Sequence, residues 1–268
     1  MESQKRTREL RRCGLTALVL VFTASAPAQE SLSIQAPLSD GSRQAIEQII
    51  HQYILQHPEV VKESLRLYEE RERAAQQERT KAAVLARLKD IQQDPSSPVV
   101  GKAGGVTVVE FFDYHCGYCK RTESAIRKLL ADHPDVQFVF KEFPILGPES
   151  SLAAKAGLAA AKQGGYLKFH QALIDLSGPI GMAAIEELAG KQGLDVNKLK
   201  TEMESAEVQS ILTRNRDLAR DLGVRATPTF VIGSELVQGA MDGAAFEKLI
   251  AQAQSRANPH AALNMPKQ

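Results

Sequence analysis

Ten residues, Phe111-Phe112-Asp113-Tyr114-His115-Cys116-Gly117-Tyr118-Cys119-Lys120, constrain the rest of this chain most. They close an apolar run, Val106 to Phe112, that reads as a buried strand. They lead into Arg121 to Ala131, which reads as a helix. A Cys-x-x-Cys at a strand-to-helix junction points to dithiol redox chemistry. Only a thiolate attacks a disulfide. The unpaired N–H groups and positive dipole end of a helix N-terminus favour the thiolate of a cysteine placed there. Cys116 stands where the helix begins, so it is the expected nucleophile. Cys119, one turn inside, is the expected resolving cysteine. Gly117 and Tyr118 set the environment of the two sulfurs.

Other chemistries of the same residues are weighed against this one. A structural zinc site needs four ligands, and no second Cys or His pair lies at suitable spacing, so no metal is expected. A purely structural disulfide and copper(I) held by Cys116 and Cys119, with His115 as a further donor, are the alternatives. No cofactor is expected beyond a redox-active Cys116–Cys119 disulfide. His115 as a cation would stabilise the neighbouring thiolate; the alternative is an exposed side chain. Glu110 stands inside Val108-Val109-Glu110-Phe111-Phe112, six residues before Cys116. A buried acid has a raised pKa and can pass protons, which makes Glu110 the proton-transfer candidate. The alternative is a strand-end carboxylate with its head in solvent. Lys120, Arg121, Lys141 and Lys155 read as solvated charges. His51, His57, His133, His170 and His260 are scattered and receive no role.

The one other cysteine, Cys13, lies in a segment that reads as an export signal. Lys5, Arg6, Arg8, Arg11 and Arg12 form a basic stretch, and Leu15 to Phe22 is an apolar run well short of the roughly 20 residues that span a bilayer. Ala26-Pro27-Ala28 then offers small residues to a signal peptidase, with cleavage expected after Ala28. An uncleaved anchor is the alternative. Removal of residues 1–28 would leave Cys116 and Cys119 alone, a pair suited to disulfide exchange in an oxidising compartment such as the periplasm. The formal net charge of +1 gives no basis for a nucleic-acid partner.

Downstream, Ile46, Ile49, Ile50, Tyr53 and Ile54 recur at helical spacing, and Pro58 ends that helix and opens the next. After Pro58 the chain contains no Gly or Pro to about Gln93, which predicts one long helix from Pro58 whose middle, Arg66 to Lys81, is mostly charged or Gln. The first apolar helix has no partner nearby in sequence. Residues 43–93 are therefore expected to mediate a homo-oligomer, an arm folded back on the catalytic domain being the alternative. Asp94 to Pro98 reads as a linker. A strand at Val136 to Lys141, a block of helices from Ser150 to Leu222, a hairpin around Gly233-Ser234 and a last helix at Ala244 to Gln254 follow.

The order strand, helix, strand, helical block, hairpin, helix, together with Cys-Gly-Tyr-Cys, resembles the thioredoxin superfamily and, through the helical insertion, its DsbA-like members. The fold expected is α/β, a thioredoxin fold with a helical insertion, preceded by an N-terminal helical arm. The resemblance covers about Val99 to Gln254. It implies that Ala226-Thr227-Pro228-Thr229-Phe230 is the loop facing the CxxC, that Pro228 is cis, and that the Thr227 backbone pairs with a substrate peptide as an added strand. It also implies that Glu110 sits below the resolving cysteine. Tyr118 and His115 join Thr227 and Pro228 as expected substrate contacts. Where DsbA-like oxidases carry Pro-His between the cysteines, this chain has Gly-Tyr, which with Thr before Pro228 is similar to DsbC-type isomerases. His57-Pro58-Glu59-Val60-Val61 resembles the N-terminal segment of ScsC-like and Com1-like proteins, in which such a segment makes oligomers.

The organisation expected is a signal peptide at 1–28, an oligomerisation arm and linker at 29–94, a DsbA-like domain at 95–256 and a flexible tail at 257–268. The function expected is a protein-disulfide isomerase or reductase, with a dithiol oxidase or a copper(I)-handling protein as alternatives. Unfolded or wrongly disulfide-bonded exported proteins are the expected clients, with a membrane redox partner and no nucleic acid.

Overall fold

The computed structural model describes residues 39–257; the expected signal segment and all but the first residue of the expected tail lie outside them. The chain divides into two compact units, with the boundary between Glu63 and Ser64.

In the first unit, α1 (Asp40–Gln56) starts where the Ser39 hydroxyl accepts a hydrogen bond from the Ser42 N–H. It stops at His57, and Pro58 takes the first position of α2 (Pro58–Ala86), where its missing N–H costs nothing. No residue of α1 is buried. Ile46, Ile49, Ile50, Tyr53 and Ile54, the stripe read from the sequence, are all exposed.

The second unit is built on a five-stranded sheet in the order β1-β3-β2-β4-β5. Its strands are β1 (Val99–Val100), β2 (Thr107–Phe112), β3 (Gln137–Glu142), β4 (Thr229–Ile232) and β5 (Glu235–Gln238). β2 and β3 are parallel and joined by α4 (Gly117–Asp132); the other pairings are antiparallel. β4 and β5 form the expected hairpin, its turn led by Gly233 at φ +61°. Between β3 and β4 lie five helices: α5 (Pro148–Ala161), α6 (Tyr166–Ile174), α7 (Met182–Lys191), α8 (Val196–Met203) and α9 (Ala206–Asp221). α10 (Gly243–Ala257) closes the described chain. No described helix is long and apolar enough to cross a membrane.

Both faces of the sheet are covered, so its central strands read as largely apolar runs rather than alternating ones, with Glu110 in β2 and Lys141 and Glu142 in β3 as buried exceptions. Side chains two apart share a face. Val108, Phe112, Phe138 and Phe140 pack into one core with residues of α4, α5, α6 and α10. Val109, Phe111, Val139 and Val231 pack into another with Leu218, Leu222, Val84 and Ile91.

Those last two residues change the expected picture of the long helix. It ends at Ala86, and a short α3 (Leu88–Gln92) follows a break at Arg87, whose φ and ψ are −112° and 13°. The break turns Ile91 onto the sheet, where it is fully buried. Arg87 is held by Asp90 at 2.8 Å and by Asp221. The stretch read as a linker is likewise packed, with Ser97 and Pro98 buried. Asp94 accepts hydrogen bonds from Ser96 and from Lys141 Nζ, the latter at 3.0 Å. Lys141 is therefore not a solvated charge. It lies on the face of β3 covered by α3, it is fully buried, and its ammonium also donates to the Asp90 carbonyl at 3.0 Å. Burial pushes the Lys141 ammonium pKa down. Burial alone would raise the Asp94 pKa, but the Ser96 hydrogen bonds and the Lys141 charge outweigh it and hold the carboxyl at about 2.

Candidate active site

Cys116 is the N-cap residue of α4, and its side chain makes no capping hydrogen bond. The orphan N–H groups of the first helical turn are thus left beside the sulfur. The turn into the helix is fixed by Asp113, a buried carboxylate that accepts from the His115 N–H at 2.8 Å and from the N–H groups of Ile145 and Leu146 at 2.8 and 3.0 Å. The Cys116 N–H donates to the Asp113 carbonyl at 3.0 Å. Both Cys116 and Cys119 are buried free thiols.

The loop expected to face them does so. The Thr227–Pro228 peptide is cis, and the Cys116 thiol donates to the Thr227 carbonyl at 3.1 Å. β4 begins at the next residue, Thr229, whose hydroxyl ties the loop through the Ala226 carbonyl at 2.7 Å. Tyr118 is exposed, with the Arg121 guanidinium 4.2 Å above its ring. Gly117 is exposed too. His115 is half-buried, and its Nε2 lies 3.2 Å from Glu149 Oε2 at an angle that does not make a hydrogen bond. Lys120, expected as a free surface charge, instead donates to the Leu176 carbonyl at 2.9 Å and so links α4 to the end of α6.

Glu110 is buried, not strand-end and solvated. Burial, and then the charges of Glu123, Cys116 and Glu142, push its pKa well above the ordinary carboxyl range. Burial also drives the Cys119 pKa up, and the Glu110 charge adds to this. A buried thiol whose pKa is raised by the charge of a buried carboxyl can pass its proton to that carboxyl when the thiol must react.

The polar groups behind the site went unread in the sequence. Glu123 on α4, Glu142 on β3 and His170 on α6 are all buried, and none had been given a role. A signal for Glu142 was present: like Glu110, it is a carboxylate in a largely apolar strand, where it has no water to face. His170 had a weaker one, lying at helical spacing from Tyr166 and Leu173 in an otherwise apolar stripe. Among the described residues, no group of three or more His, Cys, Asp or Glu is placed to hold a metal ion.

A CxxC at a helix N-terminus, apposed to a cis-proline loop on a helix-covered mixed sheet, defines a thioredoxin-fold protein built for dithiol chemistry. The chain belongs to the DSBA-like thioredoxin domain family, whose model matches residues 107–251, more than half of its length. The model of the copper resistance protein ScsC N-terminal domain matches residues 43–75. Among solved structures, a thioredoxin-like oxidoreductase from Silicibacter pomeroyi is 39% identical, covering 62% of this chain and 97% of that one at a TM-score of 0.60. A linker-deletion mutant of Proteus mirabilis ScsC is 25% identical, covering 83% of this chain and 99% of that one at a TM-score of 0.62. Among curated proteins, the Na(+)/H(+) antiporter NhaA 3 of Salinispora tropica is 30% identical over 136 residues, which are 50% of this chain and 21% of that protein. This chain thus spans about a fifth of the length of that relative.

Proposed function

We propose that the chain is an exported thiol-disulfide oxidoreductase that acts as a disulfide isomerase or reductase on envelope proteins. The observation that carries this reading is the 3.1 Å contact between the Cys116 thiol, at a helix N-cap, and the Thr227 carbonyl. It puts a nucleophile against a stretch of backbone able to pair with an extended peptide. Cys116 as thiolate attacks one sulfur of a client disulfide; the other client sulfur leaves as thiolate, and a mixed disulfide forms. If that thiolate returns to another client sulfur, Cys116 is released and the client is isomerised. If Cys119 loses its proton to Glu110 and attacks Cys116, a Cys116–Cys119 disulfide forms and the client leaves reduced. Thr227, Pro228, Tyr118 and His115 are the proposed client contacts. Gly117-Tyr118 between the cysteines and Thr227 before the proline support isomerisation over oxidation.

Of residues 43–93, the part before Val84 is proposed to join copies of this chain, because the apolar stripe of α1 is exposed and residues 43–75 match the ScsC N-terminal domain, whereas Val84 and Ile91 are buried against the sheet. Several dithiols around one client would favour reshuffling. The basic and apolar first 28 residues support export to the periplasm, where a membrane redox partner would keep the cysteines reduced.

Insulin reduction and reactivation of scrambled ribonuclease test the reading together. The full chain should do both; Cys116→Ser should do neither. A chain starting at Ser64 should stay reductive, run as a monomer and lose isomerase activity. Full exchange activity in Cys116→Ser would sink the central proposal. Equal isomerisation by the shortened chain would sink the role of the arm. Cysteines found oxidised in the cell would turn the reading to an oxidase, and stoichiometric copper(I) uptake without insulin reduction to a copper-handling protein.

A further inference from the structure

Behind the CxxC turn lies a closed polar cluster inside an aromatic core. Tyr114, two residues before Cys116 and fully buried, donates from its hydroxyl to Glu142 Oε1 at 3.1 Å. The Tyr166 hydroxyl donates to the same oxygen at 3.0 Å. His170 Nδ1 lies 3.1 Å from the Tyr114 hydroxyl, and its Nε2 faces Glu123 Oε2 at 3.5 Å. Glu142 Oε2 is buried with no hydrogen-bond partner. The rings of Phe112 and Phe140 pack on His170 at centroid distances of 4.9 and 4.8 Å and wall the group off.

The cluster shapes the chain around it. A Cβ at Gly157 on α5 would come within 2.6 Å of Glu142 Oε1 and 2.8 Å of the Tyr114 hydroxyl. Glycine is thus the only residue that leaves room for the carboxyl and the phenol. Asn215 on α9 donates to the Glu142 carbonyl at 3.0 Å, fixing the end of β3. Glu110 and Glu142 lie on the same face of the sheet, since Glu110 pairs with Phe140 and Glu142 with Phe112 in register. Glu123 has a counter-ion, Arg127, at 2.8 Å. For Glu110 and Glu142, no ion pair with a cation is formed among the described residues.

We propose that Glu142 is a positioning residue for disulfide exchange, one that orients the turn bearing Cys116 through Tyr114 and bears a titrating carboxyl coupled to Glu110. This inference rests on the exchange reading above. The groups facing the Glu142 carboxyl are Tyr114 and Asp113 from the turn before α4 and Tyr166 from α6, with His170 reached through the Tyr114 hydroxyl. Glu123 is reached through His170. Burial raises the Glu142 pKa, and Glu142 in its anionic form raises that of Glu110. Two carboxyls on one buried face cannot both ionise freely, so the proton Glu110 takes from Cys119 is held more tightly whenever Glu142 is ionised.

The test follows single-turnover resolution on the full chain carrying Cys13→Ser, reduced and mixed with 5,5′-dithiobis(2-nitrobenzoate). Cys116 takes up one thionitrobenzoate. Cys119 then gives its proton to Glu110 and forms the Cys116–Cys119 bond, and the bond to the reagent breaks with release of a second thionitrobenzoate as thiolate. The rate of this second release is followed against pH. Glu142→Gln keeps an oxygen for both phenols and removes the charge. It is expected to move the midpoint of the profile to lower pH by roughly one unit, with the plateau rate retained. Tyr114→Phe removes a hydrogen bond that favours ionised Glu142, and it should move the midpoint in the same direction. A folded Glu142→Gln with an unmoved midpoint overturns the proposal; if that variant does not fold, an unmoved midpoint in Tyr114→Phe does so. Second-phase release by Cys119→Ser as fast as in the parent would instead overturn the exchange reading itself.

Discussion

The two units spend the same residue types in opposite ways. In α1, Ile46, Ile49, Ile50 and Ile54 line one helix face, and every one is exposed. In the second unit, Val108, Val109, Phe111 and Phe112 fill two cores from one strand, all completely buried. Burial of such a side chain is worth about 1.5–3 kcal/mol, so the second unit is held together by its own sheet and the first is not. An amphipathic helix that buries nothing within its own chain is stabilised only when its apolar stripe is covered. The difference teaches that the functional boundary of the arm does not fall where the composition changes, at Asp94. Residues 84–98 already belong to the folded unit, by way of Val84, Ile91 and the Asp94–Lys141 pair.

Deletion is the strongest way to break this comparison. A chain that starts at Ser64 should unfold cooperatively with nearly the stability of the full protein's second unit. A chain that starts at Pro95 loses Val84, Ile91 and the partner of Lys141, and it should be less stable by about 5 kcal/mol or more. Urea midpoints of the two chains decide the matter; equal midpoints would return residues 64–94 to the arm.

A smaller effect is expected at Lys141 itself. Lys141→Met removes one partner of a buried pair and strands Asp94, at a cost of about 3 kcal/mol. A change below about 1 kcal/mol in denaturant unfolding would show that the ammonium is dispensable there.

The smallest expected effect is a pH dependence. Asp94 has its pKa lowered from 3.8 to about 2 in the folded chain. A depressed carboxyl contributes stability that is fully present above the unfolded pKa and is lost as pH falls through the folded one. The window therefore runs from about pH 4 down to about pH 2, and the loss is at most about 2 kcal/mol. Asp94→Asn should flatten the stability profile across that window. Glu110 and Glu142 work in the opposite sense: their pKa values are raised, so they cost stability as pH rises above the ordinary carboxyl range.

Much of the site could be read from the chain alone because its signals are local. Cys116 and Cys119 are three residues apart at a strand-to-helix junction, and Pro228 directly precedes an apolar run. Glu110 stood out because a carboxylate interrupts a buried strand. Each of these follows from backbone geometry or from the cost of burying a charge, which a single sequence displays. The same holds for the order of strands and helices, set by periodicity and by glycine and proline.

What the sequence could not display is which distant side chains meet. Tyr114, Glu142 and His170 come together only because β3 lies parallel to β2 and α6 packs across the same face. Lys141 and Glu142 are neighbours in sequence, yet the strand pleat sends one beneath α3 and the other beneath α6. The break at Arg87 is another such case. No glycine or proline marks it, and it exists because Ile91 gains a buried place on the sheet that a straight helix would deny it. The sequence by itself determined the dithiol, its helix and the facing loop. The tertiary structure decided which charges are buried and paired, because burial depends on what packs above a residue and not on what stands beside it in the chain.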